Sequence, residues 1–194
     1  MHNANKKITI FSWALYDFAN TIFSMNIVSL YFALWVTVVK GAQDIVYSIA
    51  LSLSMAIAAF LEPLLGTFSD IRQNKMQFLV AFTVTCCLFT ALMGLSKGLY
   101  LGLAFFIVAN SAYQTAAIFY NALLSHISAK NDVGRVSGFG VSLGYVGTLV
   151  GLFTIKPIVL RYGYQSAFIP TAFLFLIFSL PCFIFVKEIR LQGQ

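Results

Sequence analysis

The stretch FSWALYDFANTIFSMNIVSLYFALWVTVVK, residues 11–40, decides how the rest of the chain is read. It carries a single charged side chain, Asp17, before it meets Lys40. About 20 apolar residues cross the hydrocarbon core of a bilayer as a helix, so this stretch is long enough to span one. An acid inside such a span is costly in lipid and must face protein or water.

Working outward, the same character recurs. Apolar runs cover residues 10–38, 45–67, 76–95, 99–124, 137–155 and 166–186. The connectors are short and hold most of the charge, with turn residues such as Lys40 and Gly41, Lys97 and Gly98, and Lys130, Asn131 and Asp132. Of the 194 residues, 60% are hydrophobic and 9% charged. Soluble domains carry about 25% charged residues, so too few are present here to cover a water-facing surface. Helices are the expected form, because an open sheet would leave backbone groups unpaired in lipid. A barrel would alternate apolar and polar residues, which these runs do not do. The expectation is an all-α membrane protein: one bundle of six transmembrane helices over residues 1–194.

The net charge of +6 does not point to nucleic acid, because the Lys and Arg residues are scattered singly between apolar runs. It is read as topology instead. With the N-terminus in the cytoplasm, the inside segments hold eight cations: Lys6, Lys7, Arg72, Lys75, Lys130, Arg135, Lys187 and Arg190. The outside segments hold four: Lys40, Lys97, Lys156 and Arg161. The positive-inside bias favours both termini in the cytoplasm. Cys86, Cys87 and Cys182 lie inside apolar runs without metal-ligand spacing and read as small buried residues.

The spans differ in polarity. Asp17, Asn20 and Ser24 recur at i, i+3 and i+7 and share one face of the first helix. Asn110, Gln114 and Asn121 share a face of the fourth, with Tyr113 beside them. Helices one and four are expected to line a path, and helices three and six to face lipid. Trp13 and Tyr16 on one side, and Tyr31 and Trp35 on the other, read as interfacial anchors. Gly140, Gly144, Gly147 and Gly151 form a small-residue stripe on helix five that lets another helix approach closely. Its partner is either a helix of the same chain or another half-bundle. Taken in threes, the helices repeat one order, polar first and lipid-facing last. This is the pattern of an inverted three-plus-three repeat.

The loop GTFSDIRQNKM, residues 66–76, resembles the Gly-x-x-x-Asp-plus-basic signature of the major facilitator superfamily, with Gly66, Asp70 and Lys75 matching. Ile71 departs where a basic residue is usual, and Gln73 where glycine is usual. SWALYDFANTIF (residues 12–23) and FYNALLSHISAKNDVGRVSGFGVSLGYVG (residues 119–147) resemble the vacuole effluxer branch of that superfamily, which has bacterial members. Ser125 stands where proline is common, and Val141 where tryptophan is common.

The resemblance implies the N-terminal six-helix half of a secondary transporter in a bacterial inner membrane. Such a half moves a small solute by alternating access; the fungal namesake suggests an amino acid. The substrate path would be lined by Asn20, Asn110, Tyr113 and Gln114. The coupling or gating set would be Asp17, Glu62, Gly66, Asp70, Arg72, Lys75 and Arg135. Asp70 and the basic residues would latch against the other half, or form a charged turn that sets topology. Asp17 would exchange a coupling proton, or pair structurally with Arg135 or another cytoplasmic base. Glu62 would bond locally to the latch, and His126 would sit in a solvated loop.

A whole facilitator has two such halves. The chain is therefore expected to be a fragment, to pair with a second six-helix half, or to form a homodimer in which the glycine face of helix five meets helix two of a partner. The competing class is a non-transporting membrane subunit or a truncated half. No nucleophile–base pair, metal cluster or phosphate-binding loop is visible, so neither an enzyme nor a cofactor is expected. The partners expected are the lipid bilayer, a solute and protons.

Overall fold

The structure, a computed structural model, describes residues 3–72, 74–129 and 131–188; the side chains of residues 3–5, 70 and 72 fall outside that description. Its helices are α1 (Asn3–Phe23), α2 (Asp44–Arg72), α3 (Lys75–Leu95), α4 (Leu99–Ile127), α5 (Val133–Tyr162) and α6 (Phe168–Phe185). Past Phe23 the first span continues as π turns (Ser24–Tyr31 and Trp35–Val39) around a short α turn, Phe32–Leu34. A 3₁₀ turn, Tyr164–Ala167, leads into α6. Among the described residues, six helical stretches are long and apolar enough to cross a membrane.

Two of the breaks between helices fall at glycines with positive φ. Gly41 (φ 64°) ends the first span and Gly163 (φ 86°) closes α5, positions where a Cβ would be strained. α5 carries Lys156 and Arg161 and runs past residue 155, where its apolar run ends, to Tyr162, with Pro157 inside it.

The packing order follows the inverted repeat. α1 lies against α5 and α6, α4 lies against α2 and α3, and α3 lies against α6. Exchanging α1 with α4, α2 with α5, and α3 with α6 maps this set of contacts onto itself. Helices three apart in the chain cross the membrane in opposite directions, so the two units are inverted copies of one arrangement.

Aromatic packing fills the centre. Phe32 stacks on Phe106 with ring centroids 4.2 Å apart, and Phe23 packs on Phe175 at 5.6 Å. On the outside, Ile169, Phe173, Ile177, Leu180 and Ile184 form one exposed stripe along α6, suited to lipid chains. α1 and α4 are the most buried helices. The most exposed are α2 and α5, not α3 and α6: only 17% of the apolar window of α2 is buried.

The interfacial reading of four aromatics is corrected. Trp13, Tyr16, Tyr31 and Trp35 are buried inside the bundle. Three of their polar ends find protein partners, as buried indole and phenol groups usually do. Trp13 Nε1 donates to the Tyr120 carbonyl at 3.1 Å. The Tyr16 hydroxyl meets Thr83 Oγ1 at 2.8 Å, and Trp35 Nε1 donates to Gln165 Oε1 at 3.2 Å. Exposed Tyr100 and Tyr162 do sit at helix ends.

Side-chain contacts sort the two ends of the bundle. At one end Lys6 pairs with Asp132 and Lys75 with Glu188, each at 3.9 Å. At the other, Lys40 Nζ donates to the Lys97 carbonyl at 2.8 Å.

A half-buried polar seam between α1 and α4

The polar face of α1 meets α4 along a seam. Asn20 Nδ2 donates to the Tyr113 hydroxyl at 3.4 Å. Ser24 lies close to that hydroxyl, one helical turn further on. The Tyr113 ring packs on Phe23 at 4.8 Å, which fixes the phenol against α1. Asp17, Asn20, Ser24, Tyr113 and Gln114 are all half-buried. Asp17 lies within electrostatic reach of the Tyr113 and Tyr120 hydroxyls.

Hydrogen bonding along this seam is incomplete. Asn20 Oδ1 is buried without a partner, as is the Tyr120 hydroxyl. Asp17 forms an ion pair with neither Arg135 nor any other cation among the described residues. The structural pairing with Arg135 expected from sequence is therefore not made; Arg135 is exposed on the first turn of α5. Most other hydroxyls in the spans are satisfied by their own helix: Thr83 donates to the Leu79 carbonyl, Thr90 to that of Cys86 and Thr171 to that of Ala167.

Asn110 lies elsewhere. It is fully buried between α4 and α2, where Nδ2 donates to Ser54 Oγ at 2.7 Å, and Ser111 donates to the Ser54 carbonyl at 3.0 Å. The structure brings Asn20 and Tyr113 together, with Gln114 next along α4, and separates Asn110 from them. Asn121 is exposed.

The glycine stripe of α5 is covered by α1 of the same chain. A Cβ on Gly144 would stand 2.9 Å from Thr21 Oγ1 and 3.1 Å from Asp17 Oδ2. One on Gly140 would strike the Trp13 ring at 2.7 Å, and one on Gly151 the Asn26 amide at 2.8 Å. One on Gly147 would run into the Phe18 backbone. A homodimer in which this face meets helix two of a partner is thereby overturned, since the face is already occupied.

Of the expected gating set, Asp70 and Arg72 fall in the last turn of α2, with side chains outside the described residues. Gly66 has open space around its Cα. Glu62 is half-buried, and the latch residues Asp70 and Arg72 expected to bond it have side chains outside the described residues. Lys75 begins α3 and reaches Glu188. His126 is not in a loop; it occupies the last turn of α4. The three cysteines are buried and free, and no group of metal-ligating side chains forms among the described residues.

Sequence reasoning missed Tyr120 and Gln165. Tyr120 stacks on Trp13 at 4.5 Å and Tyr16 at 4.9 Å, and its signal was only its place in the FYNALL run.

Comparison with known proteins bears on this geometry. Residues 39–133 match the family described as vacuole effluxer Atg22 like. An uncharacterized protein of Aquifex aeolicus is 31% identical over 190 residues, covering 97% of this chain and 48% of that protein. An uncharacterized MFS-type transporter of Bacillus subtilis, YxiO, is 30% identical over 148 residues, 72% of this chain and 35% of that protein. The match to the vacuole effluxer-like family covers just under half of the chain. That family match begins at the end of the first span and closes at the start of α5, so it holds α2, α3 and α4 complete. The chain spans about half, or less, of the length of these two relatives. It is an integral membrane protein with an inverted three-plus-three bundle of the major facilitator kind.

Proposed function

We propose that this vacuole effluxer-like chain is a six-helix half of a secondary transporter that moves a small polar solute, of amino-acid class, by alternating access. The α1–α4 seam is its share of the path. One observation carries the reading: Asp17, Asn20 and Tyr113 share one half-buried surface on which Asn20 Oδ1 and the Tyr120 hydroxyl have no hydrogen-bond partner among the described residues. Unfilled polar capacity is expensive in hydrocarbon, so such a surface belongs to a hydrated cavity or is closed by a second half-bundle. A six-helix half supplies one wall of such a cavity, and a second half related by an axis along the membrane normal supplies the other. The second half docks elsewhere than the glycine stripe, on the exposed faces of α2 and α5.

Asp17 is the coupling acid in this reading. It has no cation beside it among the described residues, so it can take up and release a proton as the cavity opens to either side. Asn20 and Tyr113 orient the solute, and Tyr120 gives Asp17 a hydroxyl neighbour. The cation bias puts both termini in the cytoplasm, in a bacterial inner membrane.

The test is amino-acid flux into liposomes holding the chain and its completing half, driven by an imposed pH gradient. Asp17→Asn is expected to insert normally and to lose proton-driven flux while retaining exchange. Undiminished proton coupling in Asp17→Asn would remove the acid from the mechanism. Flux of no amino acid by the parent protein would remove the solute class.

A further inference from the structure

At the end of the bundle where α1 begins and α4 and α6 finish, a cavity of about 690 Å³ opens. Its rim is basic: Lys6 and Lys187 line it, both exposed, together with the half-buried His126. Its wall is apolar, built from Ile127, Ile184 and Phe185, the last two exposed. The framing spans start at Lys6 and end at Ile127 and Phe185. The basic rim thus stands at headgroup depth, and the apolar wall begins where hydrocarbon does.

The acids nearby do not neutralise the rim. Asp132 reaches Lys6 at only 3.9 Å, with both side chains about half exposed, a geometry that holds little energy. Glu188, next to Lys187, is engaged with Lys75 instead. Lys187 has no ion pair among the described residues. Thr9, also on the wall, donates to the Phe185 carbonyl at 3.4 Å and ties α1 to α6 across the cavity floor.

We infer that this cavity binds the headgroup of an anionic phospholipid, with the phosphate on Lys6, Lys187 and His126 and an acyl chain along Ile184 and Phe185. Basic pockets between spans at the membrane surface take such headgroups. The apolar wall selects lipid over a soluble anion, which would gain nothing from it. A zwitterionic lipid would bring its own cation to a rim that already carries two. The inference is independent of whether the α1–α4 seam conducts a solute.

The experiment is native mass spectrometry of the full chain released from nanodiscs of equal phosphatidylglycerol and phosphatidylcholine. Phosphatidylglycerol is expected to be retained in preference. Lys187→Gln should weaken that retention about fivefold, and Lys6→Gln with Lys187→Gln more than about fivefold, the two effects coupling because both cations hold one phosphate. Arginine at both positions should retain the lipid. Asp132→Asn should strengthen retention by releasing Lys6, whereas Lys40→Gln, at the opposite end, should leave it unchanged. Equal retention of the two lipids would overturn the site, as would a double glutamine variant that holds phosphatidylglycerol like the parent. Displacement by inorganic phosphate at matched concentration would assign the site to a soluble anion and overturn the lipid. Unchanged circular dichroism and melting in each variant would confirm that the comparison is between folded chains.

Discussion

Gly147 and Gly138 lie on the same helix and differ in what stands over them. A Cβ at Gly147 would enter the Phe18 backbone, which cannot move aside as a side chain could, whereas one at Gly138 would meet nothing within 4 Å. Gly147→Ala should therefore destabilise the bundle by about 1–3 kcal/mol through overpacking. Gly138→Ala should cost nothing, or stabilise by about 0.5–1 kcal/mol by removing backbone freedom. Unfolding in mixed micelles titrated with a denaturing detergent would compare the two, and equal effects would break the account of α1–α5 packing. The spacing of Gly140, Gly144, Gly147 and Gly151 made a close helix contact legible in the sequence. It did not name the partner, because small residues say only that a backbone comes near. Trp13, Tyr16 and Trp35 misled for a related reason. An amphipathic ring reads alike at a lipid interface and in a core, and only the partners, Tyr120, Thr83 and Gln165, distinguish the two.

Individual elements hide their joints in a similar way. The first span reads as one apolar helix, yet it turns to π geometry from Ser24, at the end of the polar seam. No proline or glycine marks the change. The shift re-aims backbone carbonyls, and side chains meet them: the Tyr47 hydroxyl donates to the Val28 carbonyl, and Asn26 Nδ2 to that of Ile22 at 2.9 Å. At the far end of the bundle Gln165 does the same for α3, whose last carbonyls lack helical partners. Its Nε2 donates to the carbonyls of Met93, Gly94 and Ser96 at 3.1, 3.2 and 2.6 Å. Its Oε1 accepts from Trp35. One side chain thus joins the first span, the end of α3 and the entry to α6. Gln165→Leu should cost about 1–3 kcal/mol, because it takes the partner from the Trp35 donor and from the Gly94 and Ser96 carbonyls. It should also shift Trp35 fluorescence. Unaltered stability and emission together would show that the clamp carries no weight. Nothing in the sequence around Gln165 announced this, since its four partners lie at least 69 residues away.

For the molecule as a whole, run lengths and polarity made six spans and their repeat legible, while the pairing of helices was not: which spans touch depends on faces that every apolar run presents. Orientation is the property that sequence carries and packing does not, because the bundle looks the same either way up. The end that holds Lys6, Lys75, Arg135 and Lys187 has the greater share of cations, and the positive-inside rule predicts that it faces the cytoplasm. At the opposite end Lys40 is engaged locally, donating to the Lys97 carbonyl and lying 5.0 Å from the Trp35 ring centroid. Lys97 and Lys187 are both exposed, at opposite ends. In a background with Cys86, Cys87 and Cys182 changed to alanine, Lys97→Cys should react with a membrane-impermeant maleimide in intact cells. Lys187→Cys should react only after permeabilisation. The reverse pattern would place the polar seam's Asp17 end outside, and the coupling proton would then enter Asp17 from the opposite compartment; labelling of both sites in intact cells would mean that the chain inserts in two orientations.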